Sequence, residues 1–147
     1  MTSASCWLLV AVVACGPPVQ SPQPPAERFA IAWFVSQGLW GTESLTIDPS
    51  GLASYRFESA RGKPNQSGTR RLSSAELRSV REAVRDPGFC ELRSARHGIP
   101  DEGKPTLKRS VGERTCAVTL WDGEWEQLAN ARPALEAIKA VIAKMRP

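Results

Sequence analysis

Four side chains carry a sulfur nucleophile: Cys6, Cys15, Cys90 and Cys116. A thiol can attack a carbonyl, take up an acyl group, bind a soft metal or close a disulfide, and its neighbours decide which. Catalysis by a thiol needs a base, and the sole histidine is His97, in the polar run Arg96-His97-Gly98. No GxSxG, HExxH or CxxC spacing occurs, so the signatures of nucleophile–histidine catalysis and of zinc binding are missing. Gly98 to Lys104 has the spacing of a phosphate-binding glycine loop, but Pro105 stands where Ser or Thr would hold magnesium. Asp101 and Glu102 are adjacent carboxylates, and acid–base work would require them to converge on a pocket. The expectation is a non-enzymatic protein with no metal and no cofactor.

Cys15 has the most distinctive surroundings. Cys6 to Ala14 is an unbroken apolar run of nine residues. A bilayer-spanning helix needs about 20, whereas nine suit the core of a secretory signal closed by small residues. Val12-Val13-Ala14-Cys15 resembles the lipobox of bacterial lipoproteins. That resemblance implies cleavage after Ala14 and acylation of Cys15, hence a lipid-anchored protein of the cell envelope. Gly16 rather than Asp follows the cysteine, which in this class implies sorting to the outer membrane, facing the periplasm or the cell surface. Met1 to Ser5 carries no Lys or Arg, and a buried apolar N-terminal element is the competing reading of the run. Gly16 to Ala26 then holds five prolines in eleven residues. It favours extended polyproline II, a tether of roughly 35 Å. The expected organisation is a signal peptide (1–14), a lipidated cysteine with its proline-rich tether (15–27) and one folded domain (28–147).

With Cys6 lost and Cys15 acylated, Cys90 and Cys116 remain. In an oxidising compartment two such thiols pair, two buried free thiols being the alternative. A bridge would close a loop of about 27 residues, worth roughly 3–4 kcal/mol in the chain-entropy picture.

The elements that must position these residues are legible in the patterning. Arg28 to Ser36 alternates Phe29, Ile31, Trp33 and Val35 against Ala30, Ala32 and Phe34, a strand period with both faces largely apolar. Gln37 to Thr42 is a glycine-punctuated loop, Glu43 to Ile47 a second strand, Asp48-Pro49-Ser50-Gly51 a turn, and Leu52 to Glu58 a returning strand. Ser59 to Thr69 reads as an exposed polar loop. Ser73 with Glu76 forms a capping box before the apolar stripe Leu77, Val80 and Val84, and Pro87-Gly88 ends that helix. Pro105 to Val111 and Arg114 to Trp121 flank the turn Gly112-Glu113, and Asp122-Gly123 starts another turn. Ala131 to Met145 has helical spacing, with Asn130 as candidate cap. The expected fold class is α+β, an antiparallel sheet in βββ-α-ββ-α order with two amphipathic helices packed on it.

Length and composition bound the remaining options. The chain has 147 residues, 41% apolar and 23% charged, which suits one globular domain and excludes a multidomain enzyme or a disulfide-dense miniprotein. The +4 charge has a location: Arg56 to Arg114 holds fourteen basic residues against eight acidic ones. This basic stretch is either an ordinary solvated surface or a face for anionic lipid or cell-wall polymer. Nucleic acid is not an expected partner in that compartment. Trp40, Trp121 and Trp125 fall at or near turns, where tryptophan either contacts a partner or covers the end of a small sheet.

Ser36-Gln37-Gly38-Leu39-Trp40-Gly41 is similar to the loop after the opening strand of emfourin-type inhibitors of thermolysin-like metalloproteases. The likeness continues through Leu45 to Asp48, Gly51, Leu72-Ser73, Glu76-Leu77, Phe89 and Leu92. Gln37 replaces a glycine of that pattern, and Leu39-Trp40 replaces an aromatic–small pair. The resemblance implies an α+β order and protease inhibition through Leu39 and Trp40. Packing of the same two side chains on the hairpin is the alternative. A structural envelope lipoprotein resting its basic face on anionic lipid or polymer is the second functional expectation.

Overall fold

The computed structural model describes residues 28–99 and 102–146. The signal, lipidation and tether assignments fall on 1–27 and lie outside the described residues, as does Asp101.

Among the described residues six strands form one antiparallel sheet: β1 Phe29–Ser36, β2 Thr42–Ile47, β3 Leu52–Glu58, β4 Gln66–Arg71, β5 Thr106–Val111 and β6 Arg114–Thr119. The order across the sheet is β4-β3-β2-β1-β5-β6. β1 to β4 run as a meander, and the β5–β6 hairpin returns to pair on the free side of β1. This places β1 inside the sheet, with Phe29, Ile31, Trp33 and Val35 buried on one face while Phe34 on the other stays half exposed.

Among the described residues three helices accompany the sheet: α1 Ser74–Ala83, α2 Asp122–Gln127 and α3 Arg132–Ala143. Phe29, Ile31, Trp33, Leu45, Ile47, Ala53, Leu107 and Val118 from the strands join Val80, Val84, Trp125, Leu135, Ile138 and Ile142 in one core. The registers place those strand residues on a single face. The result is two layers, helices on one side of the sheet, so the fold class is α+β. Trp33 and Trp125 meet edge to face with ring centroids 5.4 Å apart, at the centre of the core. No helix of the described residues is long and apolar enough to cross a membrane.

The element order differs from expectation in two places. The segment read as an exposed loop, Ser59 to Thr69, overlaps β4, whose sequence Gln-Ser-Gly-Thr-Arg-Arg lacks apolar alternation. Main-chain pairing with β3, from Leu52↔Arg71 to Phe57↔Gln66, holds it as an edge strand, and polar edge strands leave no hydrophobic period. Asp122-Gly123 opens α2 rather than a turn, because Glu124 reaches back to accept the Trp121 N–H at 3.0 Å while Trp125 is fully buried. The observed order is ββββ-α-ββ-α-α.

Local signals elsewhere act as their chemistry dictates. The Ser73 hydroxyl accepts the Glu76 N–H at 3.2 Å and the Glu76 carboxylate accepts the Ser73 N–H at 2.8 Å, a complete capping box. Asp48 Oδ1 accepts the N–H groups of Ser50 and Leu52 and closes the β2–β3 turn. Asn130 does not cap α3. Ala131 occupies that position with no side-chain cap, its N–H donating to Leu128 O at 3.0 Å.

Candidate functional site

β1 and β2 pair up to Ser36↔Thr42, so the five residues between them form the loop of a hairpin. Gly38 to Trp40 makes one 3-10 turn. The Trp40 N–H donates to Gln37 O at 3.0 Å, and the Gln37 N–H donates to Gly41 O at 2.9 Å. Gly41 has φ 116°, and a β-carbon there would lie 2.0 Å from the Glu58 carbonyl oxygen. Only glycine fits this crossing, which locks the loop against β3.

The lock leaves two large apolar side chains in solvent. Leu39 is 59% exposed and Trp40 53%. The Arg61 guanidinium lies 4.5 Å from the Trp40 ring centroid and steadies the indole from one side. Phe34, near the end of β1 on the sheet face away from the helices, is also half exposed. Each of the Leu39 and Trp40 side chains thus keeps about half of its surface in solvent.

Beneath the loop, Trp40, Tyr55, Phe57, Arg61 and Arg146 line a pocket of about 370 Å³. Its floor is held by a three-residue network. The Tyr55 hydroxyl donates to Glu43 Oε2 at 3.0 Å, Arg146 Nε donates to the Tyr55 oxygen at 3.1 Å, and Arg146 ion-pairs with Glu43. Burial raises the Tyr55 hydroxyl above its ordinary pKa, against the neighbouring Arg146, so at neutral pH it stays a donor to Glu43.

Cys90 lies in a 3-10 turn, Pro87–Glu91, after α1, and Cys116 lies in β6. Their sulfurs are 2.08 Å apart, linking the end of the helix region to the hairpin. Phe89, fully buried, packs on Trp125 one residue away.

Of the two adjacent carboxylates considered for acid–base chemistry, Glu102 ties a loop down. Glu102 ion-pairs with Arg96 and accepts the Gly123 N–H at 3.1 Å. Those contacts, Arg96 first, hold its carboxyl down at about 2. Glu124 is buried, which alone would raise its pKa, but the N–H groups of Trp121 and Ala95 keep it below the ordinary value. His97 is exposed in the same loop. The described residues of the Gly98 to Lys104 segment contain no helix start, Gly98 being covered by the Trp121 ring. Among the described residues no group of three or more His, Cys, Asp or Glu is placed to hold a metal ion.

Glycines mark the Gln37–Gly41 segment as a loop in the sequence. The Glu43–Tyr55–Arg146 support has members up to 103 positions apart and leaves no local pattern. No protein-family model matches the chain, and no curated protein matches it.

Proposed function

We propose that this chain is a lipid-anchored, non-enzymatic binding module of the bacterial cell envelope, and that its Leu39–Trp40 loop engages a protein partner. The most specific form of this reading is inhibition of a thermolysin-like metalloprotease. The observation that carries it is the pair of exposed apolar side chains on a hydrogen-bonded, glycine-locked hairpin loop. A rigid apolar anchor gives up little conformational entropy when it enters a pocket, and tryptophan is over-represented among residues that dominate binding. A side chain presented this way fills a protease specificity pocket without offering a bond in productive geometry. Acylation of Cys15 would hold the module at the membrane where exported proteases act.

The test titrates the full chain, purified in nonionic detergent, against a thermolysin-like protease with a fluorogenic peptide. Inhibition is expected at micromolar concentration or below. Leu39→Ala combined with Trp40→Ala is expected to weaken it by at least about tenfold. No inhibition at micromolar concentration retires the metalloprotease version.

A further inference from the structure

The opposite end of β1 carries a different surface. β1 is eight residues long, about 25 Å, and a groove of about 1230 Å³ opens at its Phe29 end, between the end of α1 and the tip of the β5–β6 hairpin. Four arginines line it, Arg81, Arg85, Arg109 and Arg114, against one carboxylate, Glu113.

The seven ion pairs among the described residues all lie elsewhere. None of these four arginines is in an ion pair among the described residues, and the groove brings them together against a single carboxylate. Two of them are built in. Arg109 donates to Val84 O and, at 2.8 Å, to Cys90 Sγ, and its guanidinium lies 5.6 Å from the Phe89 ring centroid. Arg81 lies over Phe29, 5.2 Å from the centroid, with its Nε buried and lacking an acceptor. Arg85 and Arg114 are exposed at the rim. Like charges held together without counter-charge repel, and a bound anion relieves that cost. Guanidinium groups match phosphate oxygens in paired hydrogen bonds.

Pro87, Val111 and the Cys90–Cys116 disulfide add apolar surface among the arginines, which suits an anion attached to hydrocarbon. The place of the groove says which anion. The described chain begins at Arg28, whose carbonyl accepts the Gly112 N–H at 2.7 Å, next to Phe29 at the groove wall. The segment expected to carry the lipid therefore joins the domain on this side.

We propose that the groove seats the phosphate headgroup of a membrane lipid, turning the Leu39–Trp40 loop away from the bilayer. The choice of lipid over other phosphates rests on the lipid-anchor reading of Cys15.

The test measures binding of three probes to the full chain in nonionic detergent by isothermal titration: inorganic phosphate, glycerol 3-phosphate and dihexanoyl phosphatidic acid. The diacyl probe is expected to bind about tenfold tighter than the other two. Arg85→Gln with Arg114→Gln is expected to weaken it at least about tenfold. Arg78→Gln, exposed on α1 outside the groove, is expected to change nothing. Equal affinity for all three probes or an equal loss in the Arg78 variant would each overturn the proposal. Intact mass of the same preparation reports Cys15 acylation separately. Acylated protein that ignores phosphatidic acid refutes the groove, whereas unacylated protein that binds it refutes the anchor and supports the groove.

Discussion

Glu102 shows how single residues hold the long loop before β5. The Arg96 guanidinium and the Gly123 and Ile99 N–H groups all stabilise its charged form, and its pKa falls from 4.5 to about 2. Glu76 is lowered likewise, first by Arg70, then by Lys144 and the Ser73 N–H. A carboxylate depressed on folding contributes stability that is complete above its unfolded pKa and disappears as pH falls through the folded one. The Glu102 contribution is therefore present at neutral pH and lost between about pH 4.5 and about pH 2. Thermal unfolding followed from pH 7 downward should show a decline in melting temperature across that window, and Glu102→Gln should flatten part of it. An equal decline in the variant would contradict this assignment. These pairs are partly solvated, so the change is modest.

At the scale of elements, the Gln37–Gly41 loop depends on Gly41. An alanine there would place its β-carbon against the Glu58 carbonyl, at a backbone angle that side chains disfavour. Gly41→Ala should destabilise the chain by about 2 kcal/mol in denaturant unfolding and weaken partner binding with Leu39 and Trp40 unchanged. Unaltered stability would mean that the loop is not locked. The elements legible in the sequence were those with a local chemical signal. β1 alternates aromatic and β-branched residues, Asp48 to Gly51 spells a turn, and Ser73 with Glu76 spells a helix start. β4 was invisible because its stability comes from β3's main chain, which no residue within Gln66–Arg71 encodes. α2 was hidden because Asp-Gly suggests a turn unless the residue two positions on can cap, as Glu124 does. The Leu39–Trp40 loop could be found from its glycines, but its rigidity comes from Glu58, seventeen residues beyond Gly41.

Over the whole molecule, β1 connects two unlike ends. One bears the apolar loop, the other the arginine groove beside the point where the described chain begins. The Cys90–Cys116 link fastens the groove end, joining the turn after α1 to β6 across a separation of 26 residues. With that link oxidised, Cys90→Ser with Cys116→Ser should cost roughly 3–4 kcal/mol in denaturant unfolding. Two freely alkylated thiols in exported wild-type protein would contradict it. The charge of +4 likewise acquires a place. Four of its arginines, none of them in an ion pair among the described residues, line the groove.

The central claim is that the exposed loop is the partner-binding surface. The most direct test is the inhibition constant of the full chain against a thermolysin-like metalloprotease, measured for the wild type and for Leu39→Ala with Trp40→Ala. The expected result is micromolar or tighter inhibition that weakens at least about tenfold in the double variant while the melting temperature stays the same. Inhibition undiminished in that variant would contradict the assignment of the loop, and none in the wild type would contradict the assigned partner.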